Sequence, residues 1–201
     1  MKILDSIKAL FLPYQPLKIG ADVWSEQFSS GHWKYLGDLK QIARYSIIVG
    51  VFDYLYKGEG KILDLGCGNA VLFERLKKFN FKEYIGIDIS HAAISEGNKI
   101  IDNRAKLICA EIDNYLPETK FEMIVFNESL YYLDEPIKTL NYYFKYLTQD
   151  GVIVISMWDY KLRNNKLWKF IDSKFILVDE LNIQKPLKKS GWIIKVIKQP
   201  N

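Results

Sequence analysis

Hydrophobic residues along this chain fall into two patterns that alternate from residue 61 onward: short solid runs, and stretches where apolar positions recur every three or four residues. Solid runs suit strands buried on both faces, whereas the 3.6-residue period marks a helix with one apolar stripe. The runs are Lys61 to Leu65, Glu83 to Asp88, Ala105 to Ala110, Phe121 to Asn127 and Val152 to Met157. Between them the helical period covers Asn69 to Phe79, with Asn69 as N-cap, and His91 to Asn98, capped by Ser90. It returns over Ile137 to Leu147, where Pro136 occupies a first turn that needs no N–H, and over Tyr160 to Ile171. Lys174 to Gln184 and Gly191 to Lys198 read as two strands joined by Lys185 to Ser190. Six residues are too few for a crossover helix, so this last pair is antiparallel.

Strands alternating with helices predict an α/β fold with a doubly wound, mostly parallel sheet and an antiparallel last strand. Ahead of it, Ile3, Leu4, Ile7, Leu10 and Phe11 recur at helical spacing until Pro13. That segment either packs on the domain, ends the chain loosely, or makes a weak peripheral contact with a membrane surface through residues 1–12. Trp24 to Tyr35 is crowded with aromatic groups, and Tyr35 to Tyr56 reads as a helix broken at Gly37. Residues 1–56 are therefore expected to form an N-terminal helical lid of the same domain, and 57–201 the catalytic α/β part.

Candidate chemistry concentrates where the first strand ends. In Asp64-Leu-Gly66-Cys67-Gly68 the glycines let the backbone turn without a Cβ in the way, bringing a ligand close to bare peptide at the carboxyl end of a parallel strand. A dinucleotide fingerprint wants a third glycine where this chain has Val71. Asp64 would repel a pyrophosphate but suits a ligand bearing an ammonium. S-adenosylmethionine (SAM) has an ammonium, a sulfonium and no phosphate. Asp88, ending the second strand, is placed to accept from two ribose hydroxyls.

The Asp-Leu-Gly-Cys-Gly element and the strand ending in Asp88 resemble the class I SAM-dependent methyltransferases, from Lys61 to about Met157. The resemblance implies a seven-strand Rossmann-like methyltransferase fold, SAM as cofactor and S-adenosylhomocysteine (SAH) as its product. It places Cys67, Ile89 and Asn127 along the cofactor, and Glu111 with the backbone of Ile112 at the adenine, with Asp113 as competitor. Arg44 is placed by analogy near the SAM carboxylate, against the alternative of a solvated helix charge. The lid residues Trp24, His32, Trp33 and Tyr35 fall near the site on the same analogy. No Pro-Pro-aromatic base clamp follows Asn127. The run Phe126 to Leu133 looks more like the small-molecule branch, especially nodulation-type N-methyltransferases acting on amino sugars.

The expected reaction is in-line methyl transfer to an oxygen or nitrogen of a small polar acceptor, possibly a sugar or carrier-linked saccharide. Glu128, His32 and Tyr131 are the candidates for a general base, with His91 the weakest of the set. The alternatives are an RNA or protein methyltransferase, whose only basic cluster is Lys185, Lys188 and Lys189, or a non-catalytic scaffold retaining the fold. A net charge of +4 neither demands nor excludes an acidic partner, and no specific nucleic acid is expected. Cys67 and Cys109 offer no disulfide framework, and no apolar run spans a bilayer, so a cytoplasmic location is expected. No metal site is expected. Aromatic residues between 131 and 146 allow either a monomer or a homodimer.

Overall fold

A computed structural model of the chain describes residues 16, 18–159, 164–185 and 188–200. The segment 1–12, with its membrane-surface reading, and the start of the helix expected from Tyr160 lie outside the described residues. Seven strands form one sheet: β1 (Lys61–Leu65), β2 (Glu83–Asp88), β3 (Ala105–Cys109), β4 (Phe121–Asn127), β5 (Leu147–Asp159), β6 (Ile176–Lys185) and β7 (Lys188–Lys198). Their order is β3-β2-β1-β4-β5-β7-β6, with β1 to β5 parallel and β7 antiparallel to both its neighbours. The reversed strand is last in sequence but interior in the sheet, and β6 forms the edge. Its hairpin is tighter than expected, because the β6–β7 ladder continues to Lys185 opposite Lys188.

The helices are α1 (Ala21–Ser29), α2 (Ile42–Tyr56), α3 (Val71–Leu76), α4 (His91–Gly97), α5 (Pro136–Phe144) and α6 (Asn165–Lys174). The break expected at Gly37 is present, since two 3₁₀ turns, Lys34–Gly37 and Leu39–Gln41, precede α2. Ser90 caps α4 by accepting from the Ala93 N–H. Two expected boundaries are corrected. Asn69 is not an N-cap: Ala70, at φ 64°, holds that position with its N–H on the Cys67 carbonyl, and Asn69 reaches instead toward Glu96. The helix read to Leu147 stops at Phe144, because Leu147 already pairs with Phe121 and β5 runs on through Gly151.

Period-two alternation along the central strands sorts the core into two layers. Leu63, Leu65, Ile124, Phe126, Ile153 and Ile155 face α5 and α6. Ile62, Met123, Val125, Val152 and Val154 face α2 and α3. Asp64 shares the second face with Ile62, which puts its carboxyl under α2. Tyr143 is fully buried, and Tyr131, Tyr142 and Tyr146 are half-buried against the first layer, so the aromatic surface that allowed a homodimer is largely internal. No helix among the described residues is long and apolar enough to cross a membrane.

Candidate active site

A cavity of about 790 Å³ opens at the carboxyl ends of β1, β2 and β4, where the strand order reverses at β1. Arg44, Asp64, Gly66, Cys67, Gly68, Asp88, Ile89, Glu111, Ile112, Asn127, Glu128 and Tyr131 all line it. His32 and His91 do not.

The turn after β1 is held by its neighbour strand. Gly66 and Cys67 both donate their N–H to the Ile87 carbonyl, and the Asp88 carboxylate accepts from Gly68 N–H and Ser90 N–H, each at 2.8 Å. Gly66 has φ +86°, and a Cβ there would collide with Ser129. Burial raises the Asp88 carboxyl from its usual range, and the two backbone donors oppose that. Asp64 is 1% exposed; Tyr84 donates its hydroxyl to Oδ2, while Oδ1 is enclosed and has no partner. Burial lifts its carboxyl to about 7 against the Tyr84 hydrogen bond, with Asp88 adding to the rise. An enclosed carboxylate oxygen beside bare glycine backbone is a site waiting for a cation. Six carboxylates border the cavity (Asp64, Asp88, Glu111, Asp113, Glu128, Asp134) against three cations (Lys18, Arg44, Lys185), and Asp64 and Asp88 flank the glycine turn itself, which disfavours a pyrophosphate at that turn. The residues present therefore fit SAM.

The far half of the cavity is built differently. Glu128 follows β4 at φ +64°, with its N–H on the Ser156 carbonyl that continues the β4–β5 ladder. The residue is partly exposed, but Oε1 is enclosed without a partner, while Oε2 accepts from the Tyr131 hydroxyl at 3.0 Å. Burial pushes its carboxyl up to about 7, opposed first by the Arg44 charge and then by the Tyr131 hydrogen bond. Burial and the Glu128 charge hold the Tyr131 hydroxyl far above its ordinary value, and the hydroxyl donates to Glu128. Arg44 is 3% exposed, which rules out the solvated-charge reading. Its guanidinium donates to Asn127 Oδ1 and the Tyr45 hydroxyl, and its Nε is enclosed without a partner.

Aromatic residues roof the near half: Trp24 lies 5.5 Å from Trp33 and 5.1 Å, edge-on, from Tyr132. His32 is exposed, its ring edge-on to Trp33 at 5.0 Å, because the turn ending α1 ties its backbone N–H to Gln27 and leaves the imidazole outside. Glu111 accepts from Asn114, whereas Asp113 is engaged by the Thr139 hydroxyl of α5. The sequence reading missed Gln41, Tyr45, Trp158, Lys185 and Trp192 on the cavity wall. Trp158 sits just past the fifth apolar run, which was the one available signal. Tyr45 and Gln41 carry none, since only the orientation of α2 and of the 3₁₀ turn before it turns them inward.

Residues 39–192 match a family profile described as a methyltransferase domain. The chain belongs to that family, the class I SAM-dependent methyltransferases. It is 30% identical over 139 residues to the ribosomal protein L11 methyltransferase of Thermosipho africanus, an alignment covering 68% of this chain and 48% of that protein. It is 27% identical over 109 residues to malonyl-[acyl-carrier protein] O-methyltransferase 1 of Ilyobacter polytropus, covering 53% and 41%. The chain thus spans about half the length of the curated relatives it matches. Among solved structures, N-methyltransferase NodS of Bradyrhizobium japonicum WM9 in complex with SAH superposes with a TM-score of 0.71 at 15% identity, over 89% of this chain and 99% of that one. The plantazolicin methyltransferase BpumL with SAH and a triazolic analogue gives 0.68 at 16% identity over 99% of each. These likenesses establish the seven-strand methyltransferase fold.

Proposed function

We propose that the chain transfers the methyl group of SAM to an oxygen or nitrogen of a small polar acceptor held at the end of β4. The observation that carries this reading is that two enclosed, unpartnered carboxylate oxygens, Asp64 Oδ1 and Glu128 Oε1, border one cavity. Asp64 would hold the ammonium of SAM, and Arg44, through Nε, its carboxylate. Asp88 has one lone pair left on each oxygen for the ribose hydroxyls. Glu111 and the Ile112 backbone would meet the adenine, with Cys67, Ile89 and Asn127 along the ligand.

Bound SAM supplies a methyl carbon on a sulfonium, which an aligned nucleophile takes as the thioether is released. The protein's share is mainly alignment, on the order of 7 to 11 kcal/mol, and exclusion of water by Trp24, Phe28 and Trp33. Glu128 accepts the nucleophile's proton, and Tyr131 holds it in place by donating to Oε2. An RNA or protein acceptor draws little from the basic cluster, since Lys185, one of its members, belongs to the cavity wall.

The test is thermal unfolding with SAM, SAH or NAD added separately to the wild type and to Asp88→Ala. A ligand at about 100 times its Kd adds roughly 2.7 kcal/mol, a shift of several degrees for a domain of this size. Shifts with SAM and SAH, none with NAD, and their loss in the variant are expected. No shift with either sulfur ligand overturns the reading and favours the scaffold alternative.

A further inference from the structure

The acceptor half of the cavity contains a cation that the described residues leave unneutralised. Trp158 on β5 pairs across the sheet with Trp192 on β7, and their rings meet edge-to-face at 4.5 Å. Lys185 Nζ lies 5.0 Å from the centroid of each ring, and the Arg44 guanidinium lies 5.6 Å from Trp192 on the same wall. Arg44 spends two of its nitrogens on Asn127 and Tyr45. Lys185 makes no ion pair or hydrogen bond among the described residues, and the stretch Lys185 to Ser190 contains no Asp or Glu. An indole face attracts an ammonium without cancelling its charge. The Trp158 that carries Lys185 on its ring lines the same cavity as Glu128.

We propose that the methyl acceptor is anionic: its anionic group sits against Lys185 on the Trp158–Trp192 platform while its nucleophilic N–H or O–H faces Glu128. This rests on the methyl-transfer reading for which atom reacts, but not for the binding preference. A bare cation at a half-enclosed apolar wall gains a charge-assisted hydrogen bond from a carboxylate, phosphate or sulfate, and nothing comparable from a neutral group.

Matched probes decide the matter. Affinities of 4-hydroxybenzoate against 4-hydroxybenzamide, and of glucuronate against glucose, would be measured calorimetrically with and without SAH, on the wild type, Lys185→Gln and Lys185→Arg. The expected result is that the anionic member of at least one pair binds about tenfold tighter, corresponding to one charged contact. That preference should vanish in Lys185→Gln, persist in Lys185→Arg, and leave SAH affinity unchanged in both. Equal affinities within both pairs, a preference that survives Lys185→Gln, or no binding of any probe overturns the proposal. SAH binding without such a preference sinks this inference alone, whereas loss of SAH binding sinks the methyl-transfer reading and the titrations without SAH still judge this one.

Discussion

The two halves of the cavity are made by opposite means. The half around Gly66, Gly68 and Asp88 is backbone fastened to backbone: neighbouring strands supply the acceptors, and the asymmetry of charge comes from Asp64, two residues before the turn. The half around Glu128 is made of side chains from α2, β5, β6 and β7, and it holds a carboxyl on a left-handed backbone with one oxygen unpartnered. The first half is a rigid receptor that a common ligand fits. Each half keeps one enclosed, unpartnered carboxylate oxygen, Asp64 Oδ1 in the first and Glu128 Oε1 in the second, but only in the second does the carboxyl itself stand on a left-handed residue.

Breaking the receptor half should have the largest effect. Gly66→Ala puts a Cβ into Ser129 on a backbone at φ +86°. It is expected to lower stability by about 1 to 3 kcal/mol and to abolish the SAM-induced thermal shift, read by urea unfolding and by melting with ligand. Glu128→Gln tests the other half. Turnover should fall by about 10²- to 10⁴-fold with the SAM shift retained. Turnover by the wild type should rise with pH through about 7, where Glu128 ionises, and this rise should be absent in the variant.

The same carboxyls make stability pH-dependent with a defined sign. In the folded chain Asp64 and Glu128 keep a proton up to about 7, well above their unfolded values. Their contribution is fully present below the unfolded values near 4 and is lost as pH rises through about 7, at up to about 1.4 kcal/mol per pH unit for each proton. Melting of the ligand-free protein between pH 4 and 8 should therefore fall with pH, as an order-of-magnitude expectation from these linkages, and less steeply in Glu128→Gln. Glu128→Gly removes both the strained φ and the enclosed carboxyl. It should raise stability by about 1 kcal/mol while abolishing turnover, a stability gain that the receptor half would not show. At the small end, His32→Asn should leave turnover at the wild-type level and stability within about 0.5 kcal/mol, because the imidazole stands outside the cavity.

Much of this was legible before folding was considered. Lys61 to Leu65 and the turn behind it form one local pattern, and Asp88 ends the very next strand, so their meeting needs only a parallel neighbour. The misread boundaries are also local in cause: Asn69 has the chemistry of an N-cap but lost the position to Ala70, which closes the turn onto Cys67. His32 stands outside the cavity for a different reason, since residue type proposes a base but only the packing of α1 decides which way a ring faces.

The sequence by itself determined the alternation of strands and helices, the antiparallel pair at the end and the acidic, glycine-lined turn, because each depends on residues adjacent in the chain or one strand apart. Tertiary structure decided that Arg44 is buried, that Tyr131 donates to Glu128, and that Lys185 lies on Trp158 and Trp192. Those groups come from positions up to 148 apart in the numbering, from Arg44 to Trp192, and their burial, which sets their charge states, exists only once the sheet has brought them together.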